Sequence, residues 1–223
     1  IQIDGVNILF DAGHTDVFAH NAGKLGIDLE KTDFAVLSHY HWDHLGGFLY
    51  GTFRERKKLI LHPEAEGKFS PEEADKIHAG FSVLSSALPL EFAPDVFFLG
   101  EIPRVTAFEK GVYKNLAMRD DSAIVVKTGC GAVVITGCSH SGICNICEYA
   151  KKVTGQKLYT VIGGFHLFKE ESDAVEGTIK YFKNEKVEKL YPLHCIDMPT
   201  LSRFYSEFRI EKLCSGDSLA LEC

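Results

Sequence analysis

The chain has 223 residues, 45% of them hydrophobic and 25% charged, with a formal net charge of −7. This is ordinary globular composition, long enough for a sizeable core, and one domain spanning 1–223 is the expectation. The acidic balance and the lack of a long basic stripe argue against nucleic acid as a partner, and no apolar run approaches the ~18–20 residues of a membrane helix.

In chain order, residues 1–11 read as strand, turn, strand around Gly5, with Gly13 suiting a strand end. Residues 15–30 carry a short amphipathic helix ending near Gly26, and 34–38 (FAVLS) form a buried strand. HYHWDHLGG follows at once and is predicted to lie on the loop leaving that strand, with Gly46 and Gly47 making a tight turn into a helix. The run Arg54–Lys58 reads as a solvated loop or helix face. LILHP is a strand stopped by Pro63. Ser70 and Pro71 open a helix through SPEEADKIHAGF. Strands joined by loops fill 89–114. A hairpin turning near Gly129–Gly131 comes next, then helix (GICNICEYAKKVTG), strand (LYTVIGGFH), helix (AVEGTIKYFKNEK) and strand (VEKLYPLHC). This alternation indicates α/β layers, in which functional sites gather at strand ends.

Seven cysteines, an odd count in a chain of this size, argue against a secreted disulfide framework and for free thiols in a reducing cytoplasm. No signal peptide is expected. Cys144 and Cys147 form one C-x-x-C. A structural zinc takes four protein ligands and a second such pair is missing, so a buried helix face is the better reading.

The chemistry is concentrated in one short window. His39, His41, Asp43 and His44 bring three imidazoles and a carboxylate to the end of a buried strand. In extended backbone, residues i and i+2 share a side, so His39 and His41 can chelate one ion, while Asp43 and His44 project toward a neighbouring one. Asp43 either ligates or orients a water. Two ions roughly 3.5–4 Å apart can share a hydroxide that is nucleophilic at neutral pH. Further ligands are needed, and three later strands each deliver one histidine to a strand end: His140, His166 and His194. Cys138 is a thiolate donor or a small buried residue. Asp120 and Asp121 bridge metals, hold an imidazole, or cap a loop.

SHYHWDHLGG resembles the H-x-H-x-D-H signature of the metallo-β-lactamase superfamily, and ILFDAG resembles the second strand of its fold. The resemblance implies a four-layer αβ/βα sandwich with a dinuclear site where two sheets meet, and a first strand shortened or missing at Ile1. FLGEIPRVTAFE, DDSAIVVKTGCGAVVITGCSHSGICNI, VIGGFHL and YPLHC are similar to the branch named for the dihydropterin ribofuranosylaminobenzene phosphate synthase. That likeness implies His194 as the last histidine ligand. The bridging aspartate of the wider superfamily is missing, and Cys138 or His140 occupies its place; His140 is the choice as ligand. The last motif reads His194-Cys195-Ile196-Asp197 where the branch often has His-Cys-Thr-Gly.

The resulting expectation is a hydrolase with two divalent ions, zinc first and manganese or iron as substitutes. Its metal-activated hydroxide would attack a small, phosphorylated or acidic metabolite. His166 would orient substrate or act as general acid, and Arg104, Arg119 or Lys110 would meet the anionic group. A synthase joining a dihydropterin diphosphate to a ribosylated aminobenzoate phosphate, and a non-catalytic sensor, are the alternatives.

Overall fold

A computed structural model describes residues 1–50 and 53–222, which fold as two compact units divided after Leu88. The first holds β1 (Gln2–Ile3), β2 (Val6–Phe10), β3 (Phe34–Val36), β4 (Lys57–Leu61) and β5 (Phe81–Ser85), side by side in that order. β1 and β2 pair antiparallel around the Gly5 turn. The remaining pairs are parallel, and the central strands β3 and β4 bury most of their apolar residues. Ala35, Leu37, Leu59 and Leu61 are fully buried, with Phe48 and Phe81 edge to face at 5.5 Å.

The helices of this unit are α1 (Val17–Lys24), α2 (Trp42–Leu45), α3 (Pro63–Glu66) and α4 (Pro71–Gly80). α4 starts as expected: the Ser70 hydroxyl accepts the Glu73 N–H, and the Glu73 carboxylate accepts the Ser70 N–H in return.

Two expectations change here. Lys57 and Lys58 open β4 and do not belong to a loop or helix face. Their ammonium groups stand over the rings of Phe53 and Phe34, 5.8 and 5.1 Å from the ring centres. Gly46 and Gly47 do open a helical turn, the 3-10 segment Gly46–Leu49, but it continues a helix already under way. The helix starts earlier, at Trp42, and Gly46 is itself right-handed helical at φ −51°. These glycines are needed for close approach: an added Cβ would stand 2.1 Å from the carbonyl oxygen of His14 at one and of Ala12 at the other. Gly47→Ala must therefore push two backbones apart. A loss of at least ~1–3 kcal/mol is expected from such overpacking, read as a lower midpoint in thermal or urea unfolding.

The second unit contains β6 (Leu90–Ala93), β7 (Val96–Phe98), the small hairpin β8 (Val112–Tyr113) and β9 (Leu116–Ala117), β10 (Ala123–Lys127), β11 (Ala132–Thr136), β12 (Leu158–Leu167) and β13 (Lys189–Ile196). Its six-stranded sheet runs β13-β12-β11-β10-β7-β6, and β11, β12 and β13 are mutually parallel. Their crossovers are α5 (Ile143–Thr154) and α6 (Ser172–Glu185), and α7 (Met198–Glu207) follows β13. Phe165, Phe182 and Phe204 fill the space between these layers. Cys144 and Cys147 lie on the buried face of α5, as the lone C-x-x-C suggested, and burial pushes both thiols well up. Among the described residues no helix is long and apolar enough to cross a membrane.

Candidate metal centre

The first set of donors is assembled at the C-terminal ends of β2 and β3. Asp11 follows β2 in a left-handed conformation, φ 54°, which turns its carboxylate toward the segment leaving β3. There it accepts the Ser38 N–H at 2.8 Å, the Ser38 hydroxyl at 2.7 Å and Nδ1 of His44 at 2.6 Å. Having given its proton to Asp11, the Ser38 oxygen accepts from Nδ1 of His39 at 2.8 Å. Both imidazoles are thereby held with Nδ1 protonated and Nε2 carrying the lone pair, the arrangement a metal needs.

The free ends of these rings meet other donors. Nε2 of His39 is 3.0 Å from Nδ1 of His41, and Nε2 of His44 is 3.5 Å from a carboxylate oxygen of Asp43. The expected pairing, His39 with His41 and Asp43 with His44, is what the geometry brings together. Two nitrogens bound to one zinc at 2.0–2.1 Å lie about 3–3.4 Å apart, so the first pair fits a divalent cation.

In the second unit, three adjacent strand ends carry the remaining histidines. His140 follows β11 and is buried; His166 closes β12 at φ 46°; exposed His194 lies in β13, in register with Gly164. The rings of His140 and His166 are 4.3 Å apart and open on a cavity of about 360 Å³ whose wall includes Lys110, Lys114 and Asn115. Tyr113 packs on His140 with ring centres 4.8 Å apart. Cys138 and Cys195 place their sulfurs 3.0 Å apart. The hydrogen bond with Cys138 draws the Cys195 thiol down to about 5, helped by His194 and His166 and opposed by burial.

Asp121 takes the loop-holding role that the sequence left open: it accepts Ser141 N–H at 2.9 Å and Ser141 Oγ at 2.5 Å and so fixes the turn that carries His140. Burial pushes its carboxyl upward against those bonds.

The sequence pattern of the metallo-β-lactamase superfamily matches residues 1–138. This chain belongs to that superfamily. It is 33% identical to the 7,8-dihydropterin-6-methyl-4-(β-D-ribofuranosyl)-aminobenzene-5′-phosphate synthase of Methanocaldococcus jannaschii, over 97% of this chain and 85% of that protein. Among solved structures it resembles Tm1679, described as a metal-dependent hydrolase of the β-lactamase superfamily, with a TM-score of 0.84 and 31% identity over 97% of this chain and 90% of that one. Zn²⁺-bound PqqB from Methylobacterium extorquens shares the fold at a TM-score of 0.66 and 12% identity, covering 99% of this chain and 86% of that one. The α/β fold expected from the motif is therefore the fold observed.

Three residues qualify or extend the expected site of this metallo-β-lactamase-type chain. Arg104 does not present a free guanidinium: its two terminal nitrogens donate to the carbonyls of Ile102 and Met118, both at 2.5 Å, and pin the intervening loop. Asp11 was missed as a positioning residue, although an acid directly after a buried strand (ILFDAG) was its signal. Glu109 was also missed. Its carboxylate sits at the start of α5, accepting Cys144 N–H at 2.8 Å, Asn145 N–H at 2.9 Å and the Thr106 hydroxyl at 3.0 Å.

Burial outweighs those bonds and raises the Glu109 carboxyl above its usual 4.5. A raised acid gives its stabilisation below the unfolded value and loses it as pH climbs through the folded one. Glu109→Gln should cost ~1–3 kcal/mol by turning an amide toward N–H donors. Thermal unfolding of both proteins from pH 4.5 upward should show the wild-type advantage shrinking as pH rises. A constant advantage would contradict the upward shift.

Proposed function

We propose that the chain is a metal-dependent hydrolase of small acidic or phosphorylated metabolites. The residues proposed as ligands to divalent ions, zinc first, with manganese or iron as substitutes, are His39, His41, Asp43 and His44 in the first unit and His140 and His194 in the second. The observation that carries the reading is the pairing of donors within one six-residue segment, 39–44, 3.0 Å and 3.5 Å apart, behind imidazoles whose other nitrogens are already occupied. When bound, the ions supply Lewis-acid polarisation of the substrate and activation of water near neutral pH.

The chain's own groups do the rest. Asp11 and Ser38 fix the tautomers of His44 and His39. Asp43 keeps a carboxylate oxygen beside His44 and orients the attacking water. His166, half-buried at the cavity wall, holds a proton for the leaving group. Lys110 replaces Arg104 as the residue offered to a substrate anion. A small-molecule substrate and a cytoplasmic setting accord with the net charge and the odd number of cysteines; neither nucleic acid nor membrane is proposed as a partner.

A second reading, the condensing synthase, is favoured by the likeness to the M. jannaschii protein. One panel separates them. Turnover of phosphodiesters, thioesters or lactones by the metal-loaded protein supports hydrolysis. A condensed product and diphosphate from a dihydropterin diphosphate and a ribosylated aminobenzoate phosphate supports the synthase. Tight metabolite binding without turnover in either arm would favour a sensor and end both.

A further inference from the structure

The ends of β11 and β13 are not neighbours in the sheet, yet Gly164 in β12 lets them close over it. A side chain at 164 would meet the carbonyl oxygen of Gly137 at 2.2 Å, the Cα of Cys138 at 3.0 Å and the carbonyl oxygen of His194 at 3.1 Å. The glycine is fixed in that gap. Its N–H donates to Gly137 at 2.8 Å, and its carbonyl accepts the hydroxyls of Thr136 at 3.1 Å and Ser139 at 2.5 Å. Cys195 reaches across from left-handed backbone, φ 52°, and the two sulfurs meet at 3.0 Å. Two thiolates on one zinc, each at 2.3 Å, would lie about 3.7 Å apart, so this pair is closer than a shared ion would hold it. A disulfide at ~2.05 Å requires the sulfurs to close by about 1 Å more.

We infer that Cys138 and Cys195 form a redox-active dithiol that a peroxide converts to a reversible disulfide, clamping the end of β11 to the end of β13. The half-buried Cys195 sulfur attacks a peroxide oxygen. The O–O bond breaks, one water leaves, and Cys195 becomes a sulfenic acid. The buried Cys138 sulfur then attacks the Cys195 sulfur, the S–O bond breaks and the hydroxyl departs as a second water. Two thiols lose two electrons and two protons, and hydrogen peroxide is reduced to two waters. A dithiol reductant reverses the step. Cys144 and Cys147, though close in sequence, are wholly buried on α5 and offer an oxidant no entry. The clamp would fix the spacing of the strand ends that bear His140 and His194. That consequence rests on the metal reading, whereas the disulfide does not.

The test is covalent. The intact, reduced chain is treated with hydrogen peroxide, digested without reductant and analysed by mass spectrometry. The expected product is a Cys138–Cys195 linked peptide, two hydrogens lighter than its separate thiol peptides, abolished by dithiothreitol and by Cys195→Ser. Over-oxidation of Cys195 with Cys138 left as a thiol, or linkage mainly to Cys130 or Cys214, overturns the proposal. Gly164→Ala should slow the linkage; an unchanged rate would remove the glycine gap as its basis. Because neither turnover nor bound metal is read, failure here leaves the hydrolase proposal standing, and the reverse holds too.

Discussion

Replacing His39 and His41 together by alanine is expected to strip metal from the protein and to lower turnover by at least ~10²-fold. Disturbing even the outer partners of ligands elsewhere costs about 10–100-fold, and this change removes ligands outright. The His39 and His41 nitrogens converge to 3.0 Å, and the Ser38 hydroxyl behind His39 secures the tautomer. Neither single alanine is as informative, since the remaining imidazole can still anchor an ion through one bond. His39 is fully buried, so the double variant also leaves a small void, and some loss of stability will accompany the loss of metal. Metal content measured on protein that still unfolds cooperatively separates the two effects. If the folded double variant retains its full complement of metal, the loop is not the metal-binding element and the proposed function goes with it.

Much of this molecule is readable in the sequence because the physics is local. β3 and β11 are mostly buried and so appear as short apolar runs, and α4 carries its cap at Ser70 and its proline at the first helical position. The donors of the first set are legible for the same reason, since all four lie within one short segment. What escaped depends on what distant residues do to one another. Gly46 and Gly47 look like a turn until the chain at Ala12 and His14 is found pressed against them. Arg104 looks like an anion ligand until the carbonyls of Ile102 and Met118 take its guanidinium. Glu109 is an ordinary acid in sequence and becomes a helix cap only once α5 begins beside it. α7 was available and was overlooked: Asp197 followed by Pro199 is a helix start, and the Asp197 carboxylate accepts the Thr200 N–H at 2.9 Å.

Asp11→Asn should weaken metal binding by about 10–100-fold, the range found when the outer partner of a ligating histidine is lost. The reason is directional. The carboxylate accepts three hydrogen bonds and donates none, from the Ser38 N–H, the Ser38 hydroxyl and His44 Nδ1. An asparagine keeps the size and tolerates the left-handed backbone at φ 54°, so the turn after β2 survives. Its amide nitrogen, however, brings two protons to a place that already holds donors. Relief comes if His44 moves its proton to Nε2, which takes away the lone pair beside Asp43, or if Ser38 rotates and releases His39. Each response damages one of the two donor pairs, and both follow from one atom's change. Asp11→Ala would blur the result, because it removes the carboxylate and also strains the backbone. A chelator competition at fixed temperature, run beside thermal unfolding of the metal-free protein, distinguishes positioning from mere stability. Positioning predicts a large shift in affinity with a modest shift in midpoint. A lowered midpoint with unchanged affinity would reduce Asp11 to a structural brace.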